Sequence, residues 1–291
     1  MNPAPSVIIF SVLSGMGFGL LVYLGAGIVH PYGWIAFFWW GLGYALAIIG
    51  LMAATFHLGN PKNAIKAFSQ WRTSWLSREA WAAIVTLVAL VPVALSDWLS
   101  LGWPRQIGWL GAALALFTVF TTSMIYTQIK AVPRWNHWIN PVMFVTFSLT
   151  GGAMLAGSLS ALALLPVLGC VLVATWAIGD KQFARAGLNL GTATGLQAIG
   201  DVSVFEQAHT AGSYLLREMI FVVGRKHVNR LRLIAIVLAV GLPILLILAA
   251  HGPRVWGYGL AAFCHLIGAF AARWLFFAQA EHVVGLYYGQ R

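Results

Sequence analysis

An all-α bundle that crosses a membrane about eight times is the fold the sequence predicts, and two observations predict it. The first is composition: of 291 residues, 60% are hydrophobic and 8% are charged, against about a quarter charged in ordinary soluble domains. Surface-to-volume scaling leaves much of any globular chain facing water, so no soluble core absorbs that apolar fraction. The second is the length of the apolar stretches, which run near 20 residues with no period-two alternation. Lipid offers backbone N–H and C=O groups no partner, which restricts a spanning chain to helices or a closed barrel. Runs of this length match helices across a ~30 Å hydrocarbon layer.

Eight spans are expected within one membrane domain covering 1–291, at about 7–29, 35–57, 80–100, 107–128, 141–158, 160–179, 231–250 and 257–280. The run from Pro141 to Gly179 is 39 residues long, about twice what one crossing needs, so it is divided near Gly157–Ser160. Pro243 lies inside the seventh span and should kink it. No Lys or Arg precedes Lys62, so the charged start of a cleavable signal is missing and the first run is expected to remain as a span. Cys170 and Cys264 both fall in apolar runs, with no spacing that suggests a disulfide or a cluster-binding set.

The connections are unequal. Pro31–Trp34, Leu101–Gln106 and His251–Trp256 are short, whereas Leu58–Glu79, Lys130–Asn140 and Asp180–Arg230 are longer and basic. Nearly all Lys and Arg gather on the long-loop side, the opposite side having Arg105 and Arg254. That bias places both termini and the long loops in the cytoplasm, although a basic face also suits docking to an acidic partner. The net charge of +10 is thus assigned to membrane and protein partners, and no nucleic acid is expected. Residues 180–230, apolar after Ser213, are expected to hold an interfacial amphipathic helix. Ser74-Trp-Leu-Ser-Arg-Glu79 before the third span is echoed by Ser213-Tyr-Leu-Leu-Arg-Glu218 before the seventh. A duplicated four-helix unit and a chance match both account for so short an echo.

Ionisable residues at membrane depth are costly and are the first candidates for chemistry. His57 closes the second span before Gly59 and Pro61. It reads either as an interfacial histidine capping helix carbonyls or, with an ordinary pKa near 6.5, as a proton donor to a bound ring oxygen. Arg78 and Glu79 stand at the edge of the third span, either as a solvated ion pair at a helix N-terminus or as a route for protons. Arg273 lies about eight residues inside the last span, roughly 12 Å deep. It either snorkels to the interface or pairs in the bundle interior. Glu281 and His282 are expected further along the same helix. A b-type haem requires paired axial ligands at matching depth. His30 and His265 are the pair to consider, but no repeated intraspan histidine pattern occurs. The 14 tryptophans are explained as interfacial belts.

Together His57-Leu-Gly-Asn-Pro61, Ser74-Trp-Leu-Ser-Arg-Glu79, Leu216-Arg-Glu-Met219 with Gly224-Arg-Lys-His227, and Arg273-Trp-Leu-Phe-Phe277 resemble the DmsC-type anchor subunits of dimethyl sulfoxide reductases. The resemblance runs over the whole chain. It implies a three-part complex in the bacterial inner membrane, with a molybdopterin catalytic subunit, an iron–sulfur subunit that holds 4Fe–4S clusters, and an anchor that exchanges electrons with menaquinone or ubiquinone. It implies that this chain itself holds neither haem nor an iron–sulfur cluster. It carries the quinone site onto His57 and Glu79, between the second, third and eighth spans, with Arg78 and Arg273 tuning charge around the ring. Lys62, Lys66, Arg72, Arg217, Glu218, Arg225 and Lys226 would dock the iron–sulfur subunit. Sulfite-oxidising complexes use the same kind of anchor, so the direction of electron flow stays open. Two rivals remain from the residues: a haem-bearing cytochrome b subunit, and a secondary transporter, whose sites sit near the midplane on broken helices.

Overall fold

The computed structural model describes residues 1–56, 60–206, 213–220, 227–250 and 254–289. His57, Arg225 and Lys226 therefore lie outside the described residues. The helices are α1 (Pro5–Gly25), α2 (Gly33–Thr55), α3 (Trp75–Leu99), α4 (Gln106–Thr127), α5 (Ile139–Leu155), α6 (Ser160–Arg185), the short α7 (Leu190–Thr194) and α8 (Tyr214–Met219), α9 (Val228–Ile236), α10 (Leu242–Ala249) and α11 (Arg254–Ala278). A π turn over Val237–Gly241 joins α9 and α10 into one rod. Among the described residues no strand occurs.

Seven of these rods are long and apolar enough to cross a membrane: α1, α2, α3, α4, α6, α9–α10 and α11, the last over Trp256–Ala278. The apolar α5 has 17 residues, roughly 26 Å of helix. Helix and apolar window part company at several ends. α3 begins at Trp75, ahead of the expected 80, and α6 runs on to Arg185, turning Asp180–Arg185 from expected loop into helix. Hydropathy marks lipid depth, whereas backbone hydrogen bonding carries a helix past the lipid into water. α11 ends at Ala278, so Glu281 and His282 are not on the last helix as expected. Instead the His282 side chain accepts from the Val284 N–H at 3.0 Å and opens a 3-10 turn over Val283–Tyr288.

α1 is the axis of the bundle and packs against α2, α4, α5 and α11. Helices in lipid gain no hydrophobic drive toward each other and rely on close backbone approach at small residues. Gly17 lies against the Ala47 backbone, Gly50 against Ser14, and Gly19 against Ser148 and Gly152, where a Cβ would collide with main chain. α1–α4 pack among themselves, as do α5, α6, α9–α10 and α11. The six-residue echo parts in the structure. Ser74 and Ser213 both occupy N-cap positions, yet α3 continues for 25 residues and α8 for six. Glu79 is buried and Glu218 is exposed.

Three backbone hydrogen bonds tie the long-loop face together. Met1 donates to the Ala280 carbonyl at 2.6 Å, Asn2 to Glu218 at 2.7 Å, and Val283 to Ala131 at 3.0 Å. The start of the chain, α8, the α4–α5 connection and the segment after α11 thus share one face.

Candidate functional site

The site begins with how α3 enters the bundle. Ser77 donates to the Ala67 carbonyl, Trp81 Nε1 to Phe68 at 3.0 Å, and Arg78 to Trp71 at 3.0 Å and Arg72 at 2.6 Å. Arg78 also lies over the Trp75 ring, 4.4 Å from its centroid. These contacts clamp the connection 60–74 onto the first turns of α3, and they turn Arg78 away from Glu79. The expected Arg78–Glu79 pair is therefore not formed, and Arg78 serves the loop. Glu79 faces the other way, 3% exposed, and accepts a hydrogen bond from Thr122 Oγ1 of α4.

Beside Thr122 lies a cavity of about 20 Å³ between α1, α4, α5 and α11, where Ser11, Ser14, Thr122, Ser148, His265 and Arg273 share the wall with apolar side chains such as Val119, Phe144 and Phe147. It has room for about one water. Arg273 is buried rather than snorkelled. Five residues before the end of α11, it lies roughly 8 Å deep. Its guanidinium sits 3.4 Å from the Phe144 ring centroid and 5.4 Å from that of Phe147, so aromatic faces supply the stabilisation that water would. Nη1 has no hydrogen-bond partner in the structure, and no carboxylate forms a salt bridge with Arg273 among the described residues. Tyr126, one turn past Thr122, lies within electrostatic reach of both Glu79 and Arg273.

His265 is placed by a proline. Pro243 has no N–H to give the carbonyl of Ala239 four residues earlier, and a π turn over Val237–Gly241 forms there. Gly268 lets α11 press against Ala239, where a Cβ would strike backbone. The orphaned carbonyl then accepts from His265 Nδ1 at 2.8 Å. With its proton on Nδ1, the neutral ring leaves Nε2 as a buried acceptor, which makes no hydrogen bond of good geometry although the Phe147 backbone of α5 lies close to the ring. His265, Ala269 and Arg273 fall on one face of α11, and the small Ala269 leaves the space between the two polar groups.

The opposite end of α3 holds a second buried carboxylate with the contrary design. Asp97, 18 positions from Glu79 and so roughly 27 Å along the helix, accepts from Arg105 Nη1 at 2.7 Å, Trp40 Nε1 at 3.0 Å and His30 Nε2 at 3.1 Å. Tyr32 donates to His30 Nδ1 at 2.6 Å, and Arg105 Nη2 donates to the Leu24 carbonyl at 2.8 Å, closing α1. Asp97 is thus saturated by donors, a latch for the short-loop face. Glu79 has one donor among the described residues. His30 and His265, the pair weighed for haem, are held apart in separate hydrogen-bond sets, and both nitrogens of His30 are engaged.

Of the expected site residues, the structure sets Arg273 in the wall of the cavity, places Glu79 behind that wall as the acceptor of Thr122, and sends Arg78 elsewhere. The cavity lies among α1, α4, α5 and α11, the last of these being the eighth of the expected spans. Lys62, Lys66, Arg72, Arg217 and Glu218 are exposed on the long-loop face. Sequence reasoning missed Thr122, Tyr126 and the acceptor role of His265. The available signal was the polar run Thr121-Thr122-Ser123 inside an apolar span, matched by Ser11 and Ser14 on α1.

Comparison with known proteins agrees with this architecture. The family described as DMSO reductase anchor subunit (DmsC) matches residues 3–289, and the chain belongs to that family. It is a multi-pass membrane protein. It is 29% identical to a sulfite dehydrogenase subunit of Allochromatium vinosum over a 328-residue alignment covering 99% of each chain. No solved structure matches.

The two carboxylates should separate in a stability assay. Asp97→Ala strands Arg105 and is expected to cost about 2 kcal/mol or more, read as an earlier thermal unfolding of the detergent-purified complex. Glu79→Gln should stay within about 1 kcal/mol of wild type. Equal losses would contradict the division into a latch and a working group.

Proposed function

We propose that this chain is the quinone-reactive membrane anchor of a three-part molybdoenzyme, passing electrons between an iron–sulfur subunit and the quinone pool, with Glu79 as its proton-exchanging group. The observation that carries this reading is the arrangement at the inner end of α3. A buried carboxylate with a single donor, Thr122, stands behind the wall of a small cavity that is also lined by a buried arginine whose Nη1 has no hydrogen-bond partner. A structural carboxylate would be saturated, as Asp97 is.

The sulfite dehydrogenase relative favours the oxidising direction. In that direction the molybdopterin subunit would take two electrons from its substrate and the partner's 4Fe–4S clusters would supply the route to the quinone ring. The two ring oxygens then take two protons. Glu79 delivers one at its carboxyl and regains it from the long-loop face, about one turn away. Arg273 Nη1–H donates to a ring oxygen and stabilises negative charge as it develops there, a role strengthened by the absence of bulk water. His57, the other residue the family resemblance carries into the quinone site, serves the second proton.

The long-loop face is the docking side. Lys62, Lys66, Arg72 and Arg217 are exposed there, and the positive bias assigns that face, with both termini, to the cytoplasm. The clamp by Ser77, Arg78 and Trp81 supports a rigid platform holding the basic residues over the cavity.

In the intact complex, Glu79→Gln should lower quinone-linked turnover by roughly 10²-fold, while the soluble subunits still reduce an artificial dye. Parallel loss of both activities would indicate failed assembly, and retention of both would place the proton route elsewhere. Reversing Lys62, Lys66 and Arg72 to Glu should release the soluble subunits into the cytosolic fraction while the anchor still inserts. Unchanged recovery of the complex would rule out this docking face, and release to the outer side would rule out the orientation.

A further inference from the structure

A second space opens on the other side of Met16. A cleft of about 530 Å³ runs between α2, the end of α5 and α11, walled by Phe38, Leu42 and Leu46 on one side and by Gly259, Ala262 and Leu266 on the other. These residues lie in the short-loop half of the bundle, and Phe38 and Phe263 at its sides are exposed. Met16 lines both this cleft and the small cavity. A Cβ on Gly151 would meet Met16 at 2.9 Å and His265 Nε2 at 3.5 Å, so the methionine lies beside that imidazole nitrogen. A single flexible side chain, Met16, therefore stands between the apolar cleft and the cavity that holds a buried acceptor and a buried donor.

The ligand this arrangement suits is a long amphiphile whose head both accepts and donates hydrogen bonds. Resting on the quinone reading above, we propose that the α2–α5–α11 cleft seats the isoprenoid tail of the quinone and that His265 Nε2 is the head group's acceptor at its inner end. The chemistry divides cleanly. A quinone carbonyl needs a donor, which Arg273 Nη1 provides, and a quinol hydroxyl needs an acceptor, which His265 Nε2 provides because its other nitrogen is committed to Ala239. The ring reaches them when Met16 turns aside, a motion suited to an unbranched side chain with three rotatable bonds. The tail then lies along α11 from Leu266 toward Gly259, in the leaflet opposite the docking face.

Gly259 offers a clean way to fill the cleft, since an added Cβ there meets nothing within 4 Å. The intact complex would be assayed with two forms of whichever ring supports turnover, one carrying a ten-carbon tail and one with none. Gly259→Leu should raise KM for the tailed quinone about tenfold, the equivalent of losing burial of roughly two methylenes. KM for the tail-less ring should hold within about twofold. Leu46→Phe, on the facing wall, should act the same way if Gly259→Leu assembles poorly. Gly41→Leu, another open position but outside the cleft, should change neither. Equal effects on both quinones, or none on either, would overturn the tail seat and leave the cleft to a lipid chain. His265→Leu should impair both quinones alike, and full activity in that variant would overturn the head-group assignment. Glu79→Gln separates the two readings. If it leaves turnover intact while Gly259→Leu remains tail-selective, the proton assignment fails and the tail seat stands.

Discussion

A carboxylate removed from water is tolerated only where donors surround it, and the two acids of α3 meet that constraint in opposite ways. Asp97 collects an arginine, an indole and an imidazole and in doing so joins α1, α2, α3 and the start of α4. Glu79 takes one hydroxyl, that of Thr122, which itself lines the cavity. Since α1 packs along α4, with Gly25 against Gly108 and Ala112, and α4 packs along α3, the Asp97 latch helps to set the register in which Glu79 meets Thr122. Stability is concentrated at one end of α3 and reactivity at the other.

The same logic governs the far side of the cavity. Pro243 removes one backbone donor, the π turn redistributes the rest, and the carbonyl left over is claimed by His265. Gly268 brings the two helices close enough for that bond to form. The proline thus sets the tautomer of an imidazole on a neighbouring helix, and that tautomer makes Nε2 an acceptor. Arg273 is kept at depth by Phe144 and Phe147, which solvate its charge without consuming its Nη1 hydrogens. The outcome is a donor and an acceptor held ready in a space too small for more than about one water.

How much of this was legible depended on the range of the interaction. The all-helical membrane bundle follows from composition and run length, because lipid leaves the backbone no other choice. Glu79 and Arg273 stand out in the sequence because charge at membrane depth is rare. Their partners do not stand out, since Thr122 and Tyr126 are ordinary helix residues until α4 is placed against α3 and α11. Arg78 shows the opposite error. Its neighbour in sequence is Glu79, but adjacent residues on a helix point in different directions, and its guanidinium closes the loop instead. Asp97 escaped notice because it sits at the end of an apolar run, where a charge reads as solvated. Only the fold brings Trp40 and Arg105 over it.

The central claim is that Glu79 changes its protonation when the quinone is reduced, and infrared difference spectroscopy of the intact complex reads that change directly. Reduction of bound quinone should produce a carboxyl C=O difference band that shifts in deuterium oxide and disappears in Glu79→Gln. A spectrum left unchanged by that substitution would contradict the account.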